Sequence, residues 1–135
     1  MGSRLNGFLL DTHIWLWHLT TSARLPKGLR TLIDRAAERC WLSPISVWEL
    51  GLLVDRGQVQ LDAPLRAWVG DAFARLPLRE ATMTMDVALR AHEIDLAARD
   101  AGDRVLAATA LELDLRLLTV DPNLTAAVWL PTRSK

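Results

Sequence analysis

The chain has a single cysteine, Cys40, among its 135 residues. One thiol excludes an internal disulfide and fits a reducing compartment, read here as the cytoplasm; set in "RCWLSP", it reads as a buried core thiol. Long apolar runs are missing as well. None approaches the ~18 residues that a membrane span needs, and the N-terminus shows no basic-then-apolar secretion signal. Net charge is missing too, with 16 basic against 16 acidic side chains. That excludes a protein that grips nucleic acid through its overall field, but not a local basic rim around an acidic pocket. Histidine is scarce: His13, His18 and His92 stand apart, so no zinc-type ligand spacing exists. Without a Gly/Ser linker, low-complexity tract or repeat, the chain reads as one domain over residues 1–135, long enough to bury a full core. Met-Gly-Ser at residues 1–3 reads as a vector remnant and carries no weight in the fold.

Half of the residues are hydrophobic, and they fall in short strand-like runs between helical stretches. "RLNGFLL" is a short apolar strand and "THIWLWHL" a helix. "KGLRTLIDRAAERC" is amphipathic, with Leu29, Leu32, Ile33 and Ala36 at i, i+3, i+4, i+7. "CWLS" is a second buried strand. "PISVWELGLLVDRG" begins on proline and closes on Gly57, as helices do. Helices follow in "PLRAWVGDAFARL", "MDVALRAHEIDLAA" and "GDRVLAATALELD". Further strands are expected in "LREATMT", in "LRLLTVD" and at the end of "PNLTAAVWL". Short strands alternating with helices of ten or more residues predict an α/β fold with a mostly parallel, helix-covered sheet.

In such a sheet, ligands bind beyond the carboxyl ends of the strands. Asp11 after "GFLL" and Asp121 after "RLLTV" sit there, while Asp103 lies in the first turn of a helix and Glu49 one turn into another. Each has a plain structural reading. Asp11 can cap the helix after it, and Ser46 with Glu49 has the spacing of a capping box, with an alternative start at Ser43. Asp103 can complement a helix dipole, and Asp121 can open a turn before proline. Against these readings, strand ends need no such decoration. Carboxylates packed within ~5 Å raise one another's pKa unless a cation neutralises them, and an all-oxygen donor set suits Mg²⁺ or Mn²⁺. In "ISVWELGLL" the helix phase is expected to bury Trp48 and turn Glu49, about 100° away, toward the pocket. Core or interface packing is the expected use of most of the six tryptophans. Trp15 and Trp17 cannot share one helix face, so one of them is exposed or partner-covered.

"LLDTHIWLW", "SPISVWELGLLVDRGQV" and "AGDRVLAATALELDLRLLTVD" together resemble PIN-domain proteins of the VapC toxin type. The likeness covers nearly the whole chain in the right order. It implies a three-layer α/β/α sandwich and a divalent-metal-dependent ribonuclease that cuts single-stranded RNA. Carried over position by position, Asp11, Glu49, Asp103 and Asp121 match the family's catalytic, metal-binding acids, with Mg²⁺ or Mn²⁺ as the ion. Thr12, Ser46 and Thr119 match its supporting hydroxyls. Arg104, Arg24, Lys27 and Arg30 are candidates for RNA phosphates, or else members of solvated faces. The resemblance further implies a homodimer neutralised by a VapB-type antitoxin in a larger complex, with no membrane partner. "ARDAGDR" departs from the family's H-x-D-P-x-D-R at the histidine and at the proline, which is Ala101 here. Two alternatives stay open: a catalytically silent protein-binding module, and a phosphatase on a similar sheet, although that class wants D-x-D where His13 stands.

Overall fold

A computed structural model of the chain describes residues 5–97 and 100–135, so the histidine position of "ARDAGDR" and Arg99 lie outside the described residues. The elements in chain order are β1 (Gly7–Leu10), α1 (Thr12–Leu19), α2 (Lys27–Arg35), β2 (Cys40–Leu42), α3 (Pro44–Asp55), α4 (Leu65–Arg75), β3 (Arg79–Glu80), α5 (Met85–Glu93), α6 (Ala101–Leu113), β4 (Leu115–Leu118), α7 (Pro122–Thr125) and β5 (Thr132–Arg133). A 3-10 turn at Ala37–Arg39 leads into β2. The five strands run parallel in the order β3-β2-β1-β4-β5. None of the described helices is long and apolar enough to cross a membrane.

Both sheet faces are covered, so the three inner strands β1, β2 and β4 are apolar at every position but Arg116 rather than alternating, and only the edge strands β3 and β5 are polar. Leu10 and Leu118 belong to the core under α1, α2, α3 and α4, with Ile14, Trp15, Leu29, Ile33 and Leu50. Leu9, Leu115 and Leu117 point to the opposite face and pack on Leu106, Ala107 and Ala110 of α6 and Leu124 of α7. Beyond α6, its Val105 and Ala108 meet Val87 and Ala91 of α5. This is the expected α/β/α sandwich. Cys40 is buried, and burial pushes its thiol up to about 11, which leaves it an inert core group.

Two expected strands come out differently. "LREATMT" contributes only Arg79–Glu80. The tail "PNLTAAVWL" opens with the one-turn helix α7, because Asp121 caps it and Pro122 takes its first turn. The last strand falls at Thr132–Arg133, its pairing led in by Leu117 N–H donating to the Pro131 carbonyl at 2.9 Å.

The tryptophans also divide. Trp15 is fully buried, with the ring of Trp68 edge-on at 5.8 Å, while Trp17 is half-buried on another side of α1. Trp48 corrects the expectation: it is 58% exposed. Helix α3 buries Ser46 and Leu50 instead, which leaves Glu49 on the flank of the buried stripe and sends Trp48 outward. The sequence could not choose, because Val47, Trp48, Leu50, Leu52, Leu53 and Val54 make this helix apolar nearly all round.

The two indoles should therefore respond oppositely to truncation. Trp15→Ala should cost roughly 3–5 kcal/mol through the cavity it leaves, and Trp48→Ala less than about 1 kcal/mol. Denaturant melts of the two variants check this; a comparable loss for both would put Trp48 in the core.

Candidate functional site

The chain order of the sheet reverses between β1 and β4, the position at which open α/β sheets form a ligand crevice. Strands β1 and β4 pair in register from Gly7 with Leu115 to Leu10 with Leu118, so the next residues, Asp11 and Thr119, emerge side by side. Asp11 N–H donates to the Leu118 carbonyl at 3.0 Å, and the Thr119 hydroxyl donates to Asp11 Oδ2 at 2.6 Å. The same Thr119 oxygen accepts the Asp121 N–H at 3.1 Å. One buried hydroxyl thus ties two strand-end acids together. Asp11 occupies the N-cap position of α1 but its side chain makes no capping bond, so the cap reading does not account for its carboxylate.

Glu49 arrives from α3. Ser43 caps that helix, accepting from the Ile45 N–H at 3.1 Å, which removes the Ser46–Glu49 capping box and keeps the alternative start. Thr12 Oγ1 lies 2.7 Å from Glu49 Oε1 and 2.9 Å from Ser46 Oγ. A carboxylate only accepts and a hydroxyl has one proton. Thr12 therefore gives its proton to Glu49 and takes one from Ser46. Among the described residues the buried polar side chains are Thr12, Ser43, Ser46, Thr109 and Thr119. Three of these five serve the acids, so buried polarity in this fold is concentrated on the site.

Asp103 sits in the first turn of α6. Asp100 caps that helix through the Gly102 N–H at 2.9 Å. Asp121 likewise caps α7, accepting from the Asn123 N–H at 2.9 Å, so its turn role and its place beside the other acids hold together. Asp11, Thr12, Glu49, Asp100, Asp103 and Asp121 line one cleft of about 670 Å³. Burial, then the carboxylates of Asp100, Asp121, Asp11 and Glu49, push Asp103 up to about 7. Asp11 is also raised, chiefly by burial and further by Asp121, against the opposing hydrogen bond from Thr119 and the His13 charge. Glu49 is raised by burial, opposed by the Thr12 hydroxyl and reinforced by Asp100 and Asp11. The acids share this cleft without three of them closing around one point among the described residues.

The basic candidates separate. Arg24 lines the cleft and lies 5.2 Å over the Trp17 ring. Arg104 does not line it. Helix neighbours diverge by about 100°, and its guanidinium turns from Asp103 to the end of α5, donating to the carbonyls of Ala91, Ile94 and Leu96 at 2.8–2.9 Å and of His92 at 3.3 Å. Arg30 is half-buried and donates to the Ser22 carbonyl at 3.1 Å. Lys27 is exposed away from the cleft.

Two residues outside the candidate set belong to the site. Asp100 stands in "ARDAGDR", where a second acid three residues before Asp103 falls on the same helix edge. Gly102 is the other. A Cβ there would collide with the Glu49 carboxylate, its carbon at 2.5 Å and Oε1 at 2.9 Å. Only glycine lets Glu49 lie against the start of α6, and a glycine in a helix's first turn is the trace this leaves in the sequence.

A PIN domain family model matches residues 8–130. The chain is 31% identical over 117 residues to Ribonuclease VapC22 of Mycobacterium tuberculosis (strain ATCC 25618 / H37Rv), spanning 86% of this chain and 88% of that relative. Its fold superimposes on a chain of VapBC2 from Rickettsia felis, bound to a DNA fragment from their promoter, with TM-score 0.69 and 14% identity over 93% of this chain and 96% of that one. FitAcB from Neisseria gonorrhoeae gives TM-score 0.62 and 22% identity, covering 94% and 96%.

A carboxyl raised on folding contributes stability that is fully present below its unfolded pKa and is lost as pH rises through the folded one. For Asp103 that window runs from its ordinary 3.8 to about 7. Asp103→Asn should therefore raise the melting temperature of chelator-treated protein above pH about 7, and the gain should vanish toward pH 3.8. A pH-independent effect of the substitution would show that Asp103 ionises freely.

Proposed function

This chain belongs to the PIN-domain family, and from that premise we propose that it is a divalent-metal-dependent endoribonuclease cutting single-stranded RNA, a VapC-type toxin neutralised by a VapB-type antitoxin. The observation that carries this reading is that Asp11, Glu49, Asp103 and Asp121, from four separate elements, line one cleft, with the carboxyls of Asp11, Glu49 and Asp103 raised above their ordinary pKa. An all-oxygen donor set in an open cleft fits Mg²⁺ or Mn²⁺ held partly through water, and the glycine at position 102 gives Glu49 the room to take part.

When bound, the ion would supply Lewis acidity for phosphodiester hydrolysis. The chain's own groups do the placing. Asp11, Glu49 and Asp103 would hold the ion; Asp121 would serve from the outer rim. Thr119 fixes the Asp11 carboxylate, and the Ser46–Thr12 relay fixes Glu49. Because these supports are neutral hydroxyls, they orient the acids without neutralising them and leave the negative charge for a cation. No covalent nucleophile is needed. The raised carboxylates equally suit an arginine inserted by the antitoxin, since a guanidinium can fork onto paired carboxylates. Ribonuclease VapC22 and the toxin–antitoxin complexes among the structural neighbours support the assignment. With a lone buried thiol and no described helix able to span a membrane, the cytoplasm is the setting proposed, with homodimers joining the antitoxin in a larger assembly.

Purified protein should cut single-stranded RNA with Mg²⁺ or Mn²⁺ and stop with EDTA, and Asp11→Asn should lower the rate by at least about a hundredfold. Cleavage that persists in EDTA, or equal cleavage by the variant, would overturn the reading in favour of a binding module or a contaminant. Gly102→Ala offers a milder probe. It displaces only the carboxylate end of the Glu49 side chain and no backbone, so the fold should survive while Mn²⁺ affinity by calorimetry falls roughly tenfold.

A further inference from the structure

The cleft has two walls of different composition above its acidic floor. One is α3, where Trp48, Leu52 and Arg56 follow at i, i+4 and i+8 and so lie on one side of the helix. The other is α1 and the turn after it, with His13 and Trp17 four residues apart, their rings 5.7 Å from centre to centre, and Arg24 at 5.2 Å over Trp17. Trp48 presents a large aromatic face to solvent at 58% exposure. Among the described residues neither Arg24 nor Arg56 pairs with a carboxylate, although acids line the floor beside them. Arg24 instead lies over an indole, and among the described residues its guanidinium makes neither an ion pair nor a hydrogen bond that would compete with a ligand.

We propose that Trp48 is a base-stacking platform of this cleft, and that Arg56, two turns along the same helix, and Arg24, after α1, hold the flanking phosphates of an unpaired RNA strand. The proposal rests on the ribonuclease reading and assigns its substrate contacts. An indole face accepts any base, and the stacking is worth about tenfold or more in affinity. Each guanidinium meets a phosphate through charge-assisted hydrogen bonds. An unpaired strand can lay its backbone over the floor while turning a base out to the α3 wall; a duplex keeps its bases stacked inside and cannot. Selection of single strands would thus come from the wall, and the chemistry from the floor. Arg104 takes no part, its donors being spent on backbone carbonyls.

The test uses a short fluorescein-labelled single-stranded RNA of mixed sequence, cleaved by the full chain with Mg²⁺. Trp48→Ala should raise KM roughly tenfold with kcat little changed, and Trp48→Phe should restore most of the loss. Arg24→Ala and Arg56→Ala should each reduce the salt dependence of RNA binding by about one phosphate contact. The Mn²⁺-induced rise in melting temperature should be the same in Trp48→Ala as in wild type, which shows the floor intact. An unchanged KM in Trp48→Ala overturns the platform while leaving the ribonuclease reading standing. An unchanged KM together with lost antitoxin binding makes the α3 wall a protein-docking surface, and likewise overturns it. Wild-type protein that cuts no RNA at all overturns the ribonuclease reading itself.

Discussion

The site depends on one register: β1 against β4, with Leu10 beside Leu118. Parallel pairing carries both strands to the same edge, and their order in the sheet opens a crevice there rather than on the neighbouring pair. From that register follow the hydrogen bond of Asp11 N–H to the Leu118 carbonyl and the contact of Thr119 with the Asp11 carboxylate. A slip of one residue would turn every side chain of β4 to the other face. Leu117 would then replace Leu118 in the core under α1 to α4, and Thr119 would face away from Asp11.

Around that register the electrostatics are deliberately incomplete. Elsewhere in the fold some carboxylates meet cationic side chains, as Glu112 meets Arg90 at 3.3 Å and Asp71 meets Arg75 at 3.7 Å. In the cleft, Asp11 and Glu49 are held by the hydroxyls of Thr119 and Thr12, and with Asp103 they are raised chiefly by burial and further by neighbouring carboxylates. Neutral donors fix direction at little cost in charge, so the negative potential stays available to an incoming cation. A chain with no net charge can therefore carry a strongly acidic floor, and the arginines at its rim keep that floor approachable by an anion.

The same economy shows in how the supporting residues are divided. Arg104, next in sequence to Asp103, anchors the start of α6 to the end of α5 through backbone carbonyls, and Asp100 caps the helix from the other side. Between them Gly102 removes a side chain where Glu49 must pass. A cap, an anchor and a gap fix the first turn of α6, and through it Asp103, relative to α3.

What the sequence determined by itself was the alternation of strand and helix, the single buried thiol, and the acids at strand ends and helix starts, because these follow from local pattern and from where carboxylates can be tolerated. It could also offer Asp121 as the opener of a turn before proline and Ser43 as an alternative helix start, since such roles depend on three or four adjacent residues; the structure makes both of them helix caps. The facing of Trp48, the backbone engagement of Arg104, and the close pass of Glu49 over Gly102 were decided only by the tertiary structure. Helix α3 is apolar on nearly every side, so its phase is set by what packs on it and not by its own pattern. Whether an arginine faces phosphate or carbonyl, and whether a glycine is idle or indispensable, depends on a neighbour tens of residues away in the chain: contact across the fold, which no local spacing encodes.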